Sequence, residues 1–107
     1  MQRRFHPGDI VKHFKRERTV FGPGVDVNAY MYEIIGYAQH TETREELMIY
    51  RALYGDKLIY ARPVAMFESK VDREKYPKVE QEYRFEVMTL EELEEVSKLR
   101  RLLSTEK

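Results

Sequence analysis

The residues with the richest chemistry fall in one stretch, Tyr32 to Phe67. His40, Thr41, Glu42 and Thr43 stand together, Tyr54, Gly55 and Asp56 follow at the next turn, and Arg62 directly precedes Pro63. An imidazole can hydrogen-bond or move a proton near neutrality. A guanidinium grips a carboxylate or phosphate through two parallel N–H bonds, and tyrosine rings stack. Brought to one sheet end, His40, Thr41, Glu42, Thr43, Tyr54, Asp56 and Arg62 make a ligand-binding site for a small polar or nucleotide-like anion. Arg62 would hold the anion, Tyr54 or Tyr60 would stack, and His40 with Glu42 would hydrogen-bond. The competing reading is structural: Arg62 pairs with Glu42 or Asp56 and pins the loops.

Three strands must position these groups. From Tyr30 to Thr41 the alternation puts Tyr30, Tyr32, Ile34, Gly36, Ala38 and His40 on one face. That face becomes small at Gly36 and Ala38, which leaves room in front of His40. Glu42 to Glu46 is a polar connection, with Thr43-x-x-Glu46 resembling the capping box of a helical turn. Leu47 to Tyr54 returns as a strand, Tyr54-Gly55-Asp56-Lys57 turns, and Leu58 to Arg62 forms the third strand. Pro63 cannot donate to a ladder and marks a strand end or an edge.

Around this centre the chain is one domain of 107 residues. Pro7-Gly8-Asp9 is a turn that opens a short strand at Ile10 and Val11. His6 is placed at that turn and His13 on the strand's solvent side. Phe21-Gly22-Pro23-Gly24 begins a loop that extends to Asn28, and Tyr83 to Val87 alternates as a last strand. Thr89-x-x-Glu92 is a capping box for a helix running toward Lys107, with Leu90, Leu93, Val96, Leu99 and Leu103 as its apolar stripe. The expected division is a barrel domain over 1–88 and a helix over 89–107, packed on the barrel or on a second copy as a homodimer.

The 19 basic and 19 acidic residues cancel, which weakens the case for bulk electrostatic binding of nucleic acid. The charge is unevenly spread all the same. Residues 1–20 hold six basic residues against Asp9 and Glu17, a surplus of +4, whereas residues 86–95 hold five glutamates and no base. No cysteine is present, so disulfides and thiolate zinc sites are excluded. Three histidines without paired spacing give no metal site, and no cofactor is implied. No stretch is apolar enough to span a bilayer or serve as a signal peptide, so a cytoplasmic protein without a membrane partner is expected.

The run Tyr32-x-Ile34-x-Gly36-x-Ala38-x-His40-Thr41-Glu42-Thr43-x-Glu45 resembles a small bacterial and phage family of uncharacterised function, domain-of-unknown-function family 1653. The likeness continues through Tyr50-x-Ala52-Leu53-Tyr54-Gly55-Asp56 and Arg62-Pro63-x-x-Met66-Phe67. It is supported by Gly8-Asp9-Ile10-Val11-x-His13-Phe14 and Tyr83-Arg84-Phe85. The resemblance implies a mainly β fold, a small SH3-like β-barrel, with the C-terminal helix as an addition. It implies no activity. Three functions therefore stand side by side: the anion-binding module; a nucleic-acid or protein adaptor using the basic residues 3–18 with Phe5, Phe14 and Phe21; and a small hydrolase using His40 and Glu42.

Overall fold

The structure, a computed structural model, describes residues 4–104. Its centre is an antiparallel sheet of five strands: β1 (Ile10–His13), β2 (Met31–Gln39), β3 (Glu46–Ala52), β4 (Ile59–Pro63) and β5 (Phe85–Val87). Their order across the sheet is β4-β3-β2-β1-β5, so the first and last strands pair and β4 is an edge. Pro63 ends that edge strand, as its missing N–H requires. The chain then turns at once into a single helical turn, α1 (Val64–Phe67).

The inner face of the sheet is apolar because Val11, Ile34, Met48, Tyr50 and Phe85 point to it, each almost wholly buried. Phe67, delivered by α1, stacks on Phe85 with ring centroids 4.0 Å apart. That stack joins the two ends of the sheet through side chains. The strands themselves do not close: β4 and β5 share no ladder, so the expected barrel is an open, mainly β sheet. The reason lies in length. Pro63 and α1 stop β4, and β5 has only three residues.

α2 (Leu90–Leu103) begins at Thr89 with the expected capping box, in which the Thr89 hydroxyl accepts from the Glu92 N–H and the Glu92 carboxylate accepts from the Thr89 N–H. Val96 is buried against Met31 and Met88, with Leu93 beside it, and Lys12 on β1 pairs with Glu92. The helix thus packs on its own sheet. Leu90 and Leu102 remain exposed.

The Thr43-x-x-Glu46 pattern does not start a helical turn. Residues 41–43 are the turn of the β2–β3 hairpin and Glu46 is the first residue of β3. The Thr43 hydroxyl accepts from the Glu45 N–H at 3.1 Å, a bond local to the hairpin. No described helix is long and apolar enough to cross a membrane.

Candidate functional site

The alternation read along β2 breaks at Ile35. Ile34 pairs with Tyr50, but the next pair is Gly36 with Ile49, so one residue of β2 is extra. A bulge of this kind reverses which side chains face inward. Tyr37, opposite the buried Met48, takes the inner position, packs against the core and donates its hydroxyl to the Phe5 carbonyl at 3.3 Å. Gly36 and Ala38 belong to the outer face. The room expected in front of His40 therefore lies on the outer face, where a Cβ at Gly36 would meet nothing within 4 Å, and is open surface rather than a hollow over the core.

His40 serves the hairpin itself. Its Nδ1 accepts from the backbone N–H groups of Glu42, at 3.1 Å, and Thr43, at 3.3 Å. Its own backbone donates to the Glu45 carbonyl at 2.8 Å and accepts from Arg44 at 2.9 Å. Arg44 takes a left-handed φ of 66° to complete the turn. Thr41, Glu42 and Thr43 are exposed, and the bond from Glu42 to His40 comes from backbone, not carboxylate. Nothing in this geometry orients His40 as a general base.

Arg62 lies elsewhere. It pairs with Met48 across β3 and β4, and directly opposed residues share a face, so Arg62 rises from the inner side. Along the sheet His40 is two strands away and three residues further on, roughly 10 Å in each direction. Arg62 makes no ion pair with Glu42 or Asp56; the latter is exposed on the β3–β4 turn. Tyr54 joins neither group. Its hydroxyl bonds the Tyr32 hydroxyl at 2.7 Å, and burial raises both tyrosine pKa values above the ordinary one. The seven residues expected at one sheet end thus divide among the β2–β3 turn, the β3–β4 turn that carries Asp56, a tyrosine pair and the flank where Arg62 stands.

Around Arg62 a different constellation forms. A cavity of about 250 Å³ is lined by His13, Lys15, Arg62, Lys75 and Arg84, with Asp72, Phe14 and Tyr76 beside them. His13 closes β1, Arg84 immediately precedes β5, and Lys15 and Phe14 lie in a short 3-10 helix, Phe14–Arg18. Asp72 is the one carboxylate of the lining. It accepts from the Glu74 N–H at 3.0 Å, the bond of a tight turn. Arg84 Nε is buried with no hydrogen-bond partner among the described residues, a costly condition for a charged donor.

His13 corrects a second expectation. It is not a solvent-side residue: its ring packs 4.4 Å from Phe14 and 4.9 Å from Phe85. Its Nδ1 accepts from the Lys15 N–H at 3.1 Å and caps the 3-10 helix. Burial, together with the positive charges of Lys15, Arg62 and Arg84, lowers its pKa from 6.5 to about 4. The ring is therefore neutral near pH 7, and the cavity's positive charge comes from lysine and arginine.

Tyrosine rings continue from this cavity. Tyr30 stands 5.9 Å from His13 and 5.7 Å from Tyr54. Its φ of 63° puts a bulky side chain in the left-handed region, which costs of order 1–3 kcal/mol. Its carbonyl accepts from the His13 N–H at 3.0 Å, which ties that conformation to the end of β1.

A family model described as protein of unknown function (DUF1653) matches residues 9–87. The chain belongs to that family. The match spans the five strands and α1 and leaves α2 outside. His13, Arg62 and Arg84 all stand in segments on which the family resemblance rests, and the fold gathers them at one cavity. No curated protein and no solved structure matches the chain.

The sequence reading included Arg62 but missed its partners. Lys15 was visible only within the basic surplus of residues 1–20. His13 and Arg84 sat in short quoted motifs, yet nothing local links β1 to β5. Lys75 and Tyr76 lie in a polar connection with no periodic signal. In the adaptor reading Phe5 and Phe14 were surface residues; both are core, 2% and 4% exposed.

Proposed function

We propose that this protein is a binding module for an anionic group, a phosphate or carboxylate, held at the cavity of His13, Lys15, Arg62, Lys75 and Arg84. The module is of the SH3-like type: a short meander whose first and last strands pair, with a helical turn before the last strand. The supporting observation is the buried Nε of Arg84, without a partner among the described residues, at the same cavity as Arg62, which forms no ion pair with a described acid. A buried guanidinium nitrogen without a partner costs stability, whereas an anion at the cavity would receive charge-assisted hydrogen bonds from Arg84 and Arg62 worth about 1.5–3 kcal/mol each. A merely structural cluster would match its cations with carboxylates; here Asp72 is the one carboxylate among the described lining residues, and it forms no ion pair with them.

The reading keeps Arg62 as the anion grip and relocates the site from the hairpin to the β1–β5 side. The test is thermal unfolding and calorimetric titration with inorganic phosphate, pyrophosphate and a dicarboxylate, for the unmodified chain and for Arg62→Gln and Arg84→Gln. Anions should raise the midpoint, by an amount that grows with the logarithm of their concentration once it exceeds the dissociation constant, and lose that effect in both variants. An equal rise in all three proteins, or none, would refute the site.

A further inference from the structure

We infer that the anion held at this cavity belongs to a single-stranded nucleic acid, whose phosphates follow a cationic track running past Tyr76 and whose bases stack on tyrosine. This rests on the anion-binding reading above and extends it beyond the single cavity. Two more hollows, each of about 340 Å³, open beside the first and share its lining residues. One carries Lys15, Arg18, Tyr30 and Tyr76; the other carries Arg18, Lys75, Tyr76 and Lys78. Tyr76 lines all three. Together they present Lys15, Arg18, Arg62, Lys75, Lys78 and Arg84.

Among the described residues two carboxylates line this track against six cations, and neither forms an ion pair with them. Asp72 is bound to its turn, and Glu17 accepts from the N–H groups of Glu80 at 2.7 Å and Gln81 at 3.0 Å. Zero net charge over the whole chain thus hides a one-sided strip, and a strip of this sign is complementary to a polyanion rather than to one small ion.

The aromatics decide which polyanion. Tyr30 and Tyr76 are half-buried and line the hollows between the cations. Tyr76 has its edge contact with Phe14 at 4.8 Å and carries the Arg18 guanidinium 5.4 Å from its ring centre. The strained backbone at Tyr30 holds a second ring at the same wall. Cations interleaved with rings suit unpaired bases, each of which has a face to stack, while a duplex hides those faces. An acidic peptide would use the cations and leave the rings idle.

The probe is a fluorescein-labelled oligouridylate, followed by anisotropy, with a duplex RNA and oligoglutamate as comparators and inorganic phosphate in parallel thermal unfolding. The oligouridylate should bind with log affinity falling against log salt at a slope of roughly −2 to −4, as about three to six neutralised phosphates require. Tyr30→Asn keeps a residue tolerated at left-handed φ and should weaken binding about tenfold, and Arg18→Gln with Lys78→Gln should flatten the slope. Circular dichroism of these variants confirms that each is folded. Equal binding of duplex or oligoglutamate, or indifference to Tyr30→Asn, would overturn the inference. If the oligouridylate fails but phosphate stabilises the unmodified chain and not Arg62→Gln, this inference falls and the anion site stands. If phosphate fails as well, both fall.

Discussion

The β2–β3 hairpin and the β1–β5 cavity hold similar side chains in opposite states. At the hairpin His40 accepts from two backbone N–H groups, the Thr43 hydroxyl accepts from another, and Glu42 and Glu45 are exposed. At the cavity His13 is neutral among cations, Arg84 Nε is buried without a partner among the described residues, and the nearby carboxylate of Asp72 accepts from its own turn. Satisfied polar groups hold a fold together; an unsatisfied one at a concave surface calls for a partner, and the proposed anion supplies one. The first region has the look of chemistry in sequence and performs a turn. The second is scattered in sequence and has unmet bonding capacity.

The largest effect that separates the two regions is on anion affinity. Removing one charge-assisted bond at the cavity, by Arg62→Gln, should cost about 1.5–3 kcal/mol, or about 10- to 150-fold in dissociation constant by calorimetry. Stability without ligand should hold or rise, because one of several like charges has gone. His40→Ala should leave the same dissociation constant unchanged. If the two variants lose affinity equally, the distinction between the regions is broken.

The next effect is of pH. The folded pKa of His13, about 4, lies below its unfolded value of 6.5, so the unfolded chain takes up this proton first as pH falls. The contribution of His13 is fully present above pH 6.5, is lost progressively toward pH 4, and has no further slope below it. Lys15 from the 3-10 helix, Arg62 from β4, Arg84 before β5, and Asp72 and Lys75 from the connection ahead of β5 set the charge around the ring. A bound anion favours the imidazolium, so affinity should rise across the same interval. Chemical denaturation against pH would check this. His13→Asn, which keeps an acceptor for the Lys15 N–H, should flatten both profiles.

How far these regions were legible in sequence follows from the range of the interactions. The three consecutive strands, the Pro63 edge and the Thr89 capping box were readable because each depends on residues a few positions apart. The bulge at Ile35 was not. It is fixed by the pull of Tyr37 onto Met48 and the Phe5 carbonyl, contacts made across strands. A one-residue slip then moved Gly36 and Ala38 to the outer face and left the space assigned to His40 as open surface. The cavity was less legible still, since β1, β4 and the segment before β5 meet only when the last strand returns to pair with the first.

A smaller effect belongs to stability. His40→Ala removes an acceptor that holds two turn N–H groups, comparable to the loss of a helix cap, and should cost about 1 kcal/mol. For a domain of this size that is about 4–8 °C in melting temperature. His40→Asn should restore part of it by supplying another side-chain acceptor. No stability change in His40→Ala would mean that the turn's bonds are replaced by water and that the histidine is free for another task.

The smallest expected effect is the most discriminating control. Glu42 gives the hairpin its backbone N–H, and its exposed carboxylate forms no bond to the imidazole. Glu42→Gln preserves that N–H and the side-chain length while removing the charge. Melting temperature and anion affinity should therefore both stay near their starting values, within about 0.5 kcal/mol in stability. The variant speaks to the hydrolase reading as well, in which the carboxylate would hold His40 as a base and its loss would be felt at a reacting centre. A marked fall in anion binding on this substitution alone would return the site to the hairpin, because no path through the turn's backbone bonds connects that charge to Arg62.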